Sequence, residues 1–314
     1  MKYNFYKISY ILTFLGFLPL FGDNSIWIEE FKTKSCCTTG IKESVHKEFY
    51  IKKGDLQNNE TISDLSNAKL YIRDMNDQII EQNIDGKKIS FAPLYKGSYH
   101  LFFEQKSVQN GVLHVLLSSL RVYNKEGNIT KSLLKEIRGK TIDSKQTKEP
   151  LAQLPFEIIM ERPIRKHHIN CCLYSGDIAP FKVYYKGKLQ KNIPLKVTME
   201  SGWTNVIKPS NDGVISFEIP RNRYTEKEKK HSEKMIVEAT YKVNESGIYK
   251  GKAYHDIKYT MTMPLTFGPS PLEYESKMLG FSTAVGVMLI FSLGIYYSRR
   301  KKRKTPKEIW FDEN

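Results

Sequence analysis

Residues Val112–Tyr123 read VLHVLLSSLRVY, and the placing of apolar side chains along them decides the fold class. Val112, His114, Leu116, Leu120 and Val122 share one parity, the period of two that belongs to a β-strand and not the 3.6 of a helix. Just upstream, Ser98–Glu104 (SYHLFFE) has the same β-rich character. Further candidate strands run over Val45–Ile51, Ala68–Ile72, Phe156–Met160, Phe181–Tyr185, Leu195–Met199, Val214–Ile219, Met235–Tyr241 and His255–Met261. They recur at spacings of roughly ten residues with Asn-Asp-Gly, Lys-Gly and Ser-Gly turns between them, and no helical crossover long enough for a βαβ unit separates them. The expectation is an all-β protein of two Ig-like or transthyretin-like β-sandwich domains, at 26–125 and 154–265. The polar stretch between them contains Pro150 and Pro155, and 126–153 reads as a linker.

Two apolar segments frame these strands. Lys2 and Lys7 precede Tyr10–Phe21 (YILTFLGFLPLF), the charged n-region and short apolar core of an export signal, taken as 1–25. After a juxtamembrane segment at 266–277, Met278–Tyr297 (MLGFSTAVGVMLIFSLGIYY) carries no charge and spans roughly 30 Å as a helix. It reads as a transmembrane helix. Arg299, Arg300, Lys301, Lys302, Arg303 and Lys304 open the tail at 298–314 and place it in the cytoplasm by the positive-inside rule. The predicted location is the cell membrane, single-pass, with both sandwiches extracytoplasmic, that is, periplasmic.

Composition agrees with a chain that packs. Of 314 residues 40% are apolar and 12% aromatic, too many for disorder. The formal charge of +15 would point to nucleic acid if it formed one patch, but it is divided by the apolar segments and part of it is the stop-transfer flank. Nucleic acid is therefore not expected as a partner; membrane lipid is.

The stretch Tyr174–Pro220 carries Gly176-Asp177, then Gly187-Lys188 with Leu189, then Asn211-Asp212-Gly213, each set between strands. This phrase resembles the exported β-sandwich family associated with bacterial nickel and cobalt uptake systems, and Leu154–Glu161 (LPFEIIME) is similar to the strand that opens its second domain. The resemblance implies an accessory role beside a membrane transporter or another envelope protein, with nickel or cobalt as the metal. The family's first domain opens on a His-acid-Phe-Trp segment, where this chain has Ser25, Ile26, Trp27 and Ile28. Physically Gly187 and Gly213 are turn residues, with Asp212 favouring the turn, and they mark a fold more than a site.

The four cysteines form two doublets, Cys36 with Cys37 and Cys171 with Cys172. Outside the cytoplasm an even number reads first as disulfides, and a bond between sequence neighbours is strained, so cross-pairing of the doublets is the natural candidate. The alternative is a metal site of His167 and His168 with Cys171 and Cys172, since imidazole and thiolate suit zinc or copper(I) as well as nickel or cobalt. His114 shares its parity with Leu116 and Leu120 and reads as a sheet residue. No GxSxG, HExxH, Walker or GxGxxG motif is present, so no catalytic residue and no enzyme is expected. The leading expectation is a membrane-anchored binding or accessory protein; the alternative is a structural or protein–protein interaction protein of the envelope without a small ligand.

Overall fold

The computed structural model describes residues 25–31, 47–65, 67–74, 77–84, 88–93, 97–124, 149–161, 173–221, 232–269 and 277–302. The signal segment, Cys36, Cys37, His167, His168, Cys171, Cys172 and most of the linker lie outside them. In chain order the strands are β1 (Ile26–Phe31), β2 (Lys47–Gly54), β3 (Asn59–Thr61), β4 (Ala68–Arg73), β5 (Ile79–Asn83), β6 (Ile89–Phe91), β7 (Gly97–Gln109), β8 (Val112–Asn124) and β9 (Phe156–Met160). There follow β10 (Leu173–Tyr174), β11 (Ile178–Tyr185), β12 (Lys188–Gln190), β13 (Leu195–Met199), β14 (Thr204–Ile207), β15 (Ile215–Glu218), β16 (Glu233–Val243), β17 (Gly247–Tyr249), β18 (Lys252–Tyr254) and β19 (Asp256–Gly268). One helix, α1 (Lys277–Lys302), comes last. Among the described residues the protein is thus mostly β, with several sheets and one apolar helix near the C-terminus.

A nine-stranded sheet in the order β14-β13-β16-β19-β8-β7-β4-β5, with β10 at the end of β19, runs through both stretches expected as sandwiches. They share it because β19 pairs in parallel with β8, Asp256 opposite Val112 through Thr262 opposite Ser118. Smaller sheets lie over it: β1, β2, β3 and β6 from the first stretch, and β9, β11, β12 and β15 from the second.

Strand alternation shows that the small sheets cover opposite faces. Leu101 and Phe103 join Ile26, Ile28, Phe49, Ile51, Leu70 and Ile72 in one apolar cluster. Phe102, between them in β7, joins the other cluster with Phe156, Phe181, Val197, Val237 and Met261. In β8, Leu113, Val115 and Leu117 enter this second cluster, while Leu116, Leu120 and Val122 enter or border the first. A strand with a core on each face has to be apolar on both parities, and that is why Val112–Tyr123 is so rich in Leu and Val. The β7–β8 hairpin closes through Asn110 and Gly111, both at positive φ (50° and 72°), the pairing a two-residue turn needs. Gly187 and Gly213 also sit at positive φ, as expected of turn residues, and the Asp212 carboxylate accepts from the Ser210 hydroxyl and, at 3.3 Å, from the Val214 N–H.

Strand β1 docks on the seam between the halves by hydrogen bonds as well as by its isoleucines. Glu238, Thr262 and Ser118 stand side by side on β16, β19 and β8. The Ser25 hydroxyl donates to Glu238, the Thr262 hydroxyl to the Ile26 carbonyl, and the Ile28 N–H to Ser118 Oγ at 3.1 Å. Ser118 and Thr262 are fully buried, so a lost partner leaves a desolvated group.

Of the chain's membrane-related features, α1 is the one described. Gly280–Lys301 is long and apolar enough to cross a membrane, and its side chains, Phe281, Met288, Ile290 and Phe291 among them, are exposed.

We expect Thr262→Val and Ser118→Ala each to lower the stability of the β body by about 1–3 kcal/mol, with the double variant departing from the sum because both hold one strand. Urea unfolding of the detergent-solubilised chain, followed by tryptophan fluorescence, measures this, since Trp27 in β1 is buried. Variants as stable as wild type would show that β1 is held by its apolar side chains alone.

Candidate functional site

On the face of β4, β7 and β8 that carries Phe102, the first sandwich stretch lies beyond the second small sheet, and the residues there turn polar. The register sets Lys69 beside Glu104, Tyr71 beside Phe102, and Arg73 beside His100, which in turn faces Arg121. Over this face passes the segment before β9. Leu151 and Leu154 are buried in the second core, the Arg73 guanidinium donates to the Glu149 carbonyl at 3.0 Å, and the Leu151 N–H donates to Glu157 Oε2 at 2.6 Å. The Lys186 N–H completes the attachment, donating to the Pro155 carbonyl at 2.7 Å.

Between this segment and the sheet opens a cleft of about 780 Å³. Its floor is Tyr71, Leu113, Val115 and Tyr259, Tyr259 standing opposite Val115 across the parallel seam. Ala152–Pro155 forms one wall, and Tyr249 and Tyr254 of the β17–β18 hairpin another. Lys69, Lys106 and Lys186 reach it with Glu104. Gly247 makes room for the hairpin wall, since a Cβ there would stand 2.5 Å from the Tyr254 hydroxyl.

The charges of the cleft are paired. Glu104, nearly buried, holds Lys106 at 2.8 Å; Lys69 meets Glu81 at 3.0 Å and Lys186 meets Glu245 at 3.4 Å, both exposed pairs. The hydrogen bond to Glu81 raises the Lys69 pKa, so its ammonium stays charged. Burial first, then the Glu104 charge, pushes the Tyr71 phenol up; burial and then Tyr185 push Tyr259 up further. Both phenols are therefore protonated, and the Tyr259 hydroxyl is engaged by that of Tyr185.

Behind the cleft lies a buried polar cluster. Glu157 is 2% exposed, and burial lifts its pKa from 4.5 to about 7, opposed by the Leu151 N–H and the Arg73 charge. His100 packs on the Phe102 ring at 4.1 Å between centroids. Burial, then Arg121 and Arg73, drives its pKa from 6.5 to about 3, so it is neutral. Arg73 Nε is held by Asp77 at 2.9 Å.

The residues singled out from sequence as metal ligands or disulfide partners, His167, His168, Cys171, Cys172, Cys36 and Cys37, are outside the described residues. No three His, Cys, Asp or Glu side chains come together as a metal site among the described residues. His114 is a half-buried sheet residue whose pKa is lowered by burial and then by Lys258, its neighbour across the seam. The cleft escaped the sequence reading because its walls come from five separate stretches; the nearest signal was that His100 and Glu104 share the parity of Phe102 within an apolar strand. Comparison with protein-family models and with curated proteins finds no match to the chain.

The two buried titrating groups act on stability in opposite directions. Between pH 4.5 and about 7 the folded chain keeps a proton on Glu157 that the unfolded chain has released, so this group lowers stability as pH rises. Between pH 6.5 and about 3 the unfolded chain takes a proton on His100 that the folded chain does not, so that contribution is present above pH 6.5 and lost as pH falls. Over the shared window, pH 4.5 to 6.5, the two cancel. Glu157→Gln, which keeps an acceptor for Leu151, should uncover a stability that climbs with pH by up to about 1.4 kcal/mol per unit there, and His100→Gln the reverse slope. Urea midpoints from pH 4 to 8 read both; parallel profiles for wild type and Glu157→Gln would remove Glu157 from the account.

Proposed function

We propose that this chain is a single-pass, membrane-anchored binding protein of the extracytoplasmic space, with its β body outside and its basic tail in the cytoplasm. The observation that carries the reading is α1: an exposed apolar helix long enough to span a bilayer, whose last residues are Arg299, Arg300, Lys301 and Lys302, with Arg303 and Lys304 next in the sequence. The small sheets laid on the shared sheet fit sandwich layers of Ig-like or transthyretin-like type, and the cleft between hairpin, wall segment and sheet fits binding. Accessory service to nickel or cobalt uptake extends this proposal on the strength of the resemblance over Tyr174–Pro220. In that version His167, His168, Cys171 and Cys172 hold the ion, or the cysteine doublets bridge to one another.

A reporter joined after Asn314 should behave as cytoplasmic and one joined at Leu272 as extracytoplasmic; inversion at either point overturns the orientation. For the metal, titration of the reduced chain with nickel, cobalt, zinc and copper(I) should reveal one saturable site. Its affinity should fall as pH drops through the imidazole range, and the His167→Ala, His168→Ala variant should lose it. Equal, weak binding by both proteins leaves the chain a protein-interaction or ligand-binding module of the envelope.

A further inference from the structure

The described lining of the cleft offers hydrogen-bond donors on an aromatic bed. Three ammonium groups, from Lys69, Lys106 and Lys186, and the phenols of Tyr71, Tyr249 and Tyr254 face one carboxylate, Glu104, already engaged by Lys106 at 2.8 Å, while the Tyr259 hydroxyl is engaged by Tyr185. The acids that pair with the other two lysines, Glu81 and Glu245, stand outside the lining and are exposed, and ion pairs of that kind exchange easily for a ligand's carboxylate. Tyr71 and Tyr259 are buried in the floor, whereas Tyr249 and Tyr254 keep part of their rings open on the hairpin wall. A matching ligand is rich in acceptors, negatively charged, and presents flat C–H faces to tyrosine rings.

We propose that this cleft binds an acidic sugar, a short stretch of glycan bearing carboxylates of the uronic type. The proposal rests on the reading of the β body as a binding module and names its ligand class. A carboxylated pyranose supplies each feature: an apolar ring face for Tyr249 and Tyr254, carboxylate oxygens for the lysines, and ring and hydroxyl oxygens for the phenols. The volume of about 780 Å³ lies within the ordinary range for small-ligand pockets. An acidic peptide fits less well. The floor strands β4, β7, β8 and β19 each have neighbours on both sides, so the floor offers no edge for strand addition, and peptide N–H groups would meet a wall of donors. A nucleotide's phosphates would find no arginine fork among the described lining residues.

The test uses the full chain in detergent micelles, titrated calorimetrically with a hexamer of galacturonic acid, the same hexamer as its methyl ester, poly-glutamate and a nucleoside monophosphate. The acid hexamer should bind saturably at one site and the ester several-fold more weakly. Joint replacement Tyr249→Ala, Tyr254→Ala should weaken binding about tenfold, as loss of ring contact implies. Tyr254→Phe should retain it, and Lys186→Gln should weaken it several-fold. Should the double alanine variant fail to fold, as judged by circular dichroism, the Tyr254→Phe and Lys186→Gln proteins carry the comparison. The proposal is overturned if the acid hexamer shows no saturation, if the ester and Lys186→Gln both bind as the acid and wild type do, or if poly-glutamate or the nucleotide saturates in its place. Reporter fusions are independent of this titration: correct topology without hexamer binding removes the sugar alone, while hexamer binding with inverted topology keeps the site and removes the extracytoplasmic reading.

Discussion

The architecture depends on a polar seam. Where β8 and β19 run parallel, Ser118 and Thr262 stand in register with Glu238 beyond them, and all three turn toward β1. Hydroxyls buried without partners would oppose folding by more than their size suggests; here Thr262 and Ser118 meet the backbone of Ile26 and Ile28, and Glu238 meets Ser25. The seam thus fixes where the first strand of the chain can lie, because a shift of one residue would present the wrong backbone groups. It also ties β1 to both halves at once, since its hydrogen-bond partners stand on β8, β16 and β19.

Staggered cover follows from that joint. One small sheet protects one face around β4, β7 and β8, the other protects the opposite face around β13, β16 and β19, and β8 lies under both. The face of β4 and β7 that carries Tyr71 and Phe102 is left beyond the second small sheet, and the chain covers it with an irregular segment in place of a strand. An irregular cover cannot satisfy its own backbone in a ladder, so its polar groups must find side chains. Arg73 and Glu157 answer for Glu149 and Leu151. The cleft is the gap left where this cover ends and the β17–β18 hairpin begins.

Much of the strand inventory was legible in the sequence, because alternation and Gly-containing turns are local signals. Phe156–Met160 and Leu195–Met199 have the bounds the pattern predicts. Short strands such as β5, β14, β17 and β18 were not legible; three to five residues with exposed side chains carry no period. Neither was the shared sheet. Parallel pairing of β8 with β19 joins segments more than 130 residues apart and leaves no turn signature, and a strand buried on both faces looks the same whatever its partner. The run of Leu and Val in VLHVLLSSLRVY did hold the clue, since a strand with one solvated face has no need of apolar residues at both parities. The cleft was hidden for the same reason: Lys69, Lys106, Lys186 and the tyrosines are unremarkable one by one and become a site only through non-local pairing.

The polar row Arg73, His100, Arg121 ends the sheet face beyond Tyr71 and Phe102, under the segment that covers it. Two guanidinium groups flank an imidazole that must then stay neutral, and a neutral imidazole can pack on Phe102 as an aromatic ring does. Arg73 closes the row by holding Asp77 on its own side and the Glu149 carbonyl above. Its positive charge also lowers the cost of ionising Glu157, whose carboxylate anchors Leu151 and, through it, the wall of the cleft. The wall therefore rests on Arg73, Glu157 and the Lys186 backbone N–H, and not on the lysine ammonium groups at the mouth. That separation leaves Lys69 and Lys186 free to exchange partners with a bound anion while the shape of the cleft is held from below.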